Sequence, residues 1–170
     1  MKNLFGLEQY WTIRQFHKGK VIWEVVDRPN IIPDEGEKAL VDTFYRANDS
    51  LYFPVDNFYV GLYSGSVAET TTLVTIGEAP STGDYSRQLI ERSEVGWPTI
   101  EKNEGDWRVV SKTITLTASG GDIGPVDGAF LCTSASGSTT GVLIGALAMK
   151  VTRTIPAGDN IEFTVKAKMK

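Results

Sequence analysis

Reactive and metal-binding side chains are scarce in this chain. Its 170 residues include one cysteine, Cys132, and one histidine, His17. A single thiol excludes a disulfide within the chain and a zinc site built on cysteines. Any Ser-His-Asp site has to use His17, which sits in the turn His17-Lys18-Gly19, away from any nucleophile elbow. A solvated turn residue is the better account of it. G-x-S-x-G, G-x-x-x-x-G-K-[ST] and H-E-x-x-H are all absent. Basic charge is short as well: 17 Lys and Arg against 21 Asp and Glu leave a net charge of −4, so nothing argues for a nucleic-acid partner. No apolar run is long enough to span a bilayer. The start, MKNLFGLEQYW, has neither an apolar h-region nor a cleavage signature. No membrane partner is expected, and folding is expected in a reducing cytoplasm.

What is present is strand chemistry. With 41% hydrophobic and 22% charged residues, the chain has the composition of one globular domain able to bury a core. The clearest pattern is at the end. Ile161, Phe163, Val165, Ala167 and Met169 alternate with Glu162, Thr164, Lys166, Lys168 and Lys170, so this strand has one dry face and one wet face. Burying Ile161, Phe163 and Val165 is worth roughly 1.5–3 kcal/mol each, and that face needs a second sheet over it. Ahead of it, Val142 to Met149 is apolar almost throughout and Pro156-Ala157-Gly158-Asp159 is turn chemistry. The two runs predict a core-forming C-terminal hairpin.

Near the start, Trp11–Phe16 and Lys20–Val26 flank His17-Lys18-Gly19 and predict a hairpin over 11–26. The second run is apolar on both faces, as in a strand central in a sheet or pressed against a partner. A helix is expected over about 37–46, with Leu40, Val41, Phe44 and Tyr45 on one face. Asp34, Glu35 and Glu37 suit its N-terminus and Arg46 its other end; helix-end electrostatics accounts for this acidic cluster better than a cation site. Phe58–Tyr63, Ser86–Arg92, Trp107–Ala118 and Val126–Cys132 supply further strand runs, and Ser134–Thr140 reads as a flexible hairpin tip. Trp97-Pro98 interrupts any regular element. The total is about eight strands and one helix: a mainly β, antiparallel sandwich or jelly roll. The expected division is an arm over 1–10 and a single domain over 11–170.

No catalytic, metal or cofactor residues emerge, and the chain is not expected to be an enzyme. Cys132 lies in a strand run, where a free thiol is usually a small buried hydrophobe. Paired carboxylates for glycoside hydrolysis stay open in principle, but no pair is singled out. Trp11, Trp23, Trp97 and Trp107, with Tyr52, Tyr59 and Tyr85, suit either a sugar-stacking platform or core packing, with packing favoured. The Lys166, Lys168, Lys170 row suits either an acidic partner or an edge strand protected from aggregation.

The order of several short segments resembles small virion proteins of tailed bacteriophages. They are Gly19-Lys20-Val21-Ile22-Trp23-Glu24, then Leu40-Val41-Asp42-Thr43-Phe44-Tyr45, then Phe58-Tyr59-Val60-Gly61-Leu62. Tyr85-Ser86-Arg87-Gln88, Gly96-Trp97-Pro98, Gly128-Ala129-Phe130-Leu131 and Ile155-Pro156-Ala157-Gly158-Asp159 continue the likeness. It implies a jelly-roll or sandwich structural protein, a head decoration (cement) protein or a tail or head–tail connector part, with no catalytic residues to carry over. On that basis the expected partners are the major capsid protein, or tail proteins, together with self-association. The expected location is the capsid surface of the virion, after synthesis in the host cytoplasm. A carbohydrate-binding module is the alternative of another class. Contact candidates are Leu4, Phe5, Leu7, Tyr10 and Trp11 on the N-terminal segment and Lys166, Lys168 and Lys170 at the end; no cofactor is expected.

Overall fold

Turn residues and runs of alternating hydrophobicity divide the chain into short strands, and the computed structural model describes residues 7–47, 49–53, 56–79 and 82–169. In chain order these form β1 (Leu7–His17), β2 (Lys20–Pro29), α1 (Asp34–Arg46), α2 (Asp49–Tyr52), β3 (Asn57–Tyr63) and β4 (Gln88–Glu91). There follow β5 (Thr99–Asn103), β6 (Asp106–Val110), β7 (Ile114–Thr117), β8 (Ile123–Cys132), β9 (Leu143–Ile155) and β10 (Asn160–Met169). A six-stranded sheet runs β2-β1-β10-β6-β5 with β7 also on β10, and a four-stranded sheet runs β4-β3-β8-β9; all pairings are antiparallel. The mainly β, two-sheet sandwich with one long helix and an N-terminal hairpin agrees with the sequence reading.

β10 is the seam of the larger sheet. It pairs with β1 from Leu7↔Met169 to Phe16↔Asn160 on one side, and with β7 and then β6 on the other. Ile161, Phe163 and Val165 are 1% exposed or less, so its dry face does meet the second sheet. Trp11 and Ile13 from β1, Val60 and Leu62 from β3, Leu131 from β8 and Leu147 from β9 fill the same interior. The first hairpin closes through Lys18 and Gly19, both at positive φ (48° and 76°), the two-residue geometry whose twist suits flanking strands.

Four sequence expectations change. First, β9 and β10 form no hairpin: they lie in opposite sheets, and the turn at Pro156–Asp159 carries the chain across the sandwich. Two dry faces joined by a tight turn can lie side by side or face to face, and alternation reads the same in both cases. Leu147 and Met149 share one core with Phe163 and Val165, which requires the facing arrangement. Second, the boundary expected after Tyr10 falls inside β1, so Leu7 to Tyr10 belong to the sheet. Third, the described residues form ten strands rather than about eight, because β5 begins directly after Pro98 and the 107–118 run splits into β6 and β7. Fourth, β2 is not central: it is an edge strand whose Trp23 and Val25 pack on the core while Val21, Ile22 and Val26 are about half exposed. Register shifts interrupt its pairing with β1 at two places, and such bulges blunt an edge against further pairing.

Candidate interaction surface

Helix α1 begins at Asp34, three residues before the expected start, so Asp34, Glu35 and Glu37 all lie in its first turn. Their charge opposes the positive end of the helix dipole. Glu35 has a second task. Its Oε1 accepts the backbone N–H of Leu73 at 2.7 Å and of Leu143 at 2.5 Å, tying the helix to the start of β9 and to the 68–76 loop. The Asp34 N–H donates to the Glu69 carbonyl, fixing the same end.

The face that meets the sheet is built from small residues. Gly36 and Ala39 are buried, and a Cβ on Gly36 would stand 2.6 Å from the Leu143 carbonyl oxygen and 3.0 Å from Ile144 Cα. Glycine is what lets the helix backbone approach β9 so closely. Ala39 joins Tyr52 and Phe53 in a small cluster, and the Tyr52 hydroxyl donates to Asp42. The helix ends at Ala47, in the left-handed region at φ 55°.

Docking through Gly36 and Ala39 turns the apolar stripe outward. Phe44 is 74% exposed and Tyr45 65%; their rings pack edge to face, 5.0 Å apart. Leu40 and Val41 are half-buried on the same helix, and Leu51 of α2 is also exposed. An amphipathic helix normally buries this stripe, and a contiguous exposed apolar patch marks a binding surface. The sequence located the stripe correctly and could not show its direction, because a Gly/Ala face carries almost no hydrophobic signal.

A second apolar surface lies on the β5–β6 hairpin. Val109 stands opposite both Ala167 and Ile100, so Ile100, Trp107 and Val109 continue the core-facing side of the larger sheet beyond the sandwich. Ile100 and Trp107 stay well exposed there.

The contact candidates from sequence fare unevenly. Trp11 is fully buried in the main core, so it is withdrawn as a surface contact. Leu7 and Tyr10 are strand residues, and the Tyr10 hydroxyl donates to Glu8. Lys166 and Lys168 do not line a free edge, because β10 is interior to its sheet. Lys166 Nζ pairs with Asp27 at 2.5 Å and Lys168 Nζ with Asp106 at 3.1 Å. Leu4, Phe5 and Lys170 lie outside the described residues. Of the tryptophans, only Trp107 is mostly exposed: Trp23 stacks under Arg153, and Trp97 packs edge to face on Phe58. The four do not form one platform.

The titratable groups serve structure. His17 Nδ1 is 2.7 Å from Asp159 Oδ1, a carboxylate only 3% exposed, so His17, itself about half open to solvent as a turn residue, also ties the first hairpin to the sheet-crossing turn. Burial pushes the Cys132 thiol up to about 11, the behaviour of an inert core cysteine. Arg87, 7% exposed, was passed over in sequence. It grips Glu78 through two nitrogens at 2.7 and 2.8 Å and donates to the carbonyls of Ser134, Ala135 and Ser138. The 134–140 segment is therefore pinned rather than flexible. Tyr85 completes the knot: its hydroxyl donates to Glu78 and accepts the Leu62 N–H. Among the described residues, no group of three or more His, Cys, Asp or Glu is placed to hold a metal ion.

The fold and this surface define a β-sandwich that displays an outward apolar helix. No protein family, curated protein or solved structure matches the chain.

Proposed function

We infer that this chain is a non-enzymatic structural subunit of a tailed-bacteriophage particle, binding the outer capsid surface as a decoration protein that stabilises the shell. The observation that carries the reading is the outward stripe of α1, with Phe44 and Tyr45 mostly exposed on a helix anchored by Glu35 and Gly36. A surface of this kind gains free energy only when something covers it. The resemblance of its order of short segments to phage virion proteins is what suggests the address. The stabilising logic is mass action: a subunit that binds only the assembled lattice stabilises that lattice. A sandwich whose strands, turns and loops are cross-tied by Arg87 and Glu35 binds with little ordering cost.

The test is to add purified protein to shells that lack it and to image the particles. Many copies distributed over the whole shell, with a raised shell melting temperature, are expected. A few rings at one vertex would move the protein to the tail or connector, and no binding to any part of the particle would end the virion reading. Trp107, with its 62% exposure, supports a second reading as a sugar-binding module. Glycan-array binding that disappears in Trp107→Ala is its required result.

A further inference from the structure

We propose that α1 is the contact between two copies of this chain, crossing antiparallel about a two-fold axis near Val41. The proposal rests on reading the chain as an assembling subunit, but not on where that subunit assembles. The helix is self-complementary along its exposed side. At a rise of about 1.5 Å per residue, Lys38 lies roughly 4.5 Å to one side of Val41 and Tyr45 roughly 6 Å to the other. An antiparallel crossing therefore brings Lys38 of each copy level with the Tyr45 ring of its partner, on the same flank of the helix, within reach of a cation–π contact. Lys38 is exposed. The reverse, parallel crossing would align the two helix dipoles unfavourably.

Burying Phe44 and Tyr45 from both copies removes on the order of 1,000 Å² from water with their aliphatic neighbours, at the low end of specific interfaces. A weak dimer follows, suited to reinforcement by neighbours on a lattice. A two-fold contact of this kind is isologous, so each substitution counts twice.

Sedimentation velocity of the full chain over a wide concentration range tests it. Wild type should pass from monomer to dimer, and Phe44→Ser with Tyr45→Ser should weaken association by more than about tenfold while the far-UV circular dichroism stays unchanged. Lys38→Glu should weaken it several-fold with the circular dichroism unchanged, and Lys38→Arg, which keeps the cation against the partner's Tyr45 ring, should retain it. A wild type that stays monomeric throughout, an unaffected Phe44/Tyr45 variant, or an unaffected Lys38→Glu variant would each overturn the proposal. A monomer whose shell binding is lost with Phe44→Ser would also overturn it, assigning the helix to the shell instead. A clean dimer with no shell binding would leave this inference standing and remove the capsid reading.

Discussion

Strand β10 and helix α1 both carry an apolar face and a polar face, and they settle the matter in opposite directions. In β10, Phe163 and Val165 are fully buried against the second sheet. In α1, the small residues Gly36 and Ala39 take the inside, and Phe44 and Tyr45 are left in water. The strand has no freedom in this: pairing with β1 on one side and β6 and β7 on the other fixes which way each side chain points. The helix satisfies its own backbone and can dock by any face, so its anchors choose. Glu35 and Gly36 are those anchors. The difference teaches that an apolar stripe on a sheet reports a core, whereas the same stripe on a surface helix reports either a core or a partner.

Truncation in the buried strand should break the comparison most violently. Phe163→Ala is expected to cost about 3–5 kcal/mol of unfolding free energy, read from denaturant titration. Next comes Gly36→Ala, which helix propensity alone would make favourable by roughly 0.5–1 kcal/mol. Contact with the Leu143 carbonyl at 2.6 Å should reverse that sign, to a loss of about 1–3 kcal/mol; a stabilised variant would show that the helix is not held where we place it. Smaller still is an alkaline effect on the core side. Burial raises the Cys132 thiol from 9 to about 11 in the fold. A group whose folded value is raised gives its stability in full below its unfolded value and loses it as pH climbs through the folded one. The resulting loss is about 1 kcal/mol by pH 10 and should shrink in Cys132→Ala, measured as the slope of stability between pH 8 and 10. Least affected is Phe44→Ser: its unfolding free energy under monomeric conditions should stay within about 0.5 kcal/mol of wild type, although the side chain is as large as Phe163. A large loss there would mean that Phe44 is covered within a single copy.

Legibility followed the range of the interactions involved. The alternation from Ile161 to Val165, the Lys18-Gly19 turn and the existence of α1 were readable because each is set by neighbours a few residues apart. The β5 strand, Thr-Ile-Glu-Lys-Asn, escaped because its polar edge character carries no strong period, and it is held by pairing with β6. Arg87 stood unremarked inside Ser-Arg-Gln-Leu-Ile-Glu-Arg; its partners lie as far as 51 residues away. The tie from His17 reaches Asp159, 142 residues on, so a turn that looks solvated locally is fastened by a distant one. The apolar face of the interaction surface could be listed from sequence, but its exposure could not.

Sequence alone determined the class of the fold and the faces of β10 and β1, because local period suffices for these. Tertiary structure alone decided that β9 and β10 face each other across the core, that β2 lies at an edge, and that α1 presents Phe44 and Tyr45 to solvent. Those outcomes depend on which of several apolar surfaces finds a cover, and close approach at Gly36 with the Glu35 anchor settles that only once the sheets have come together.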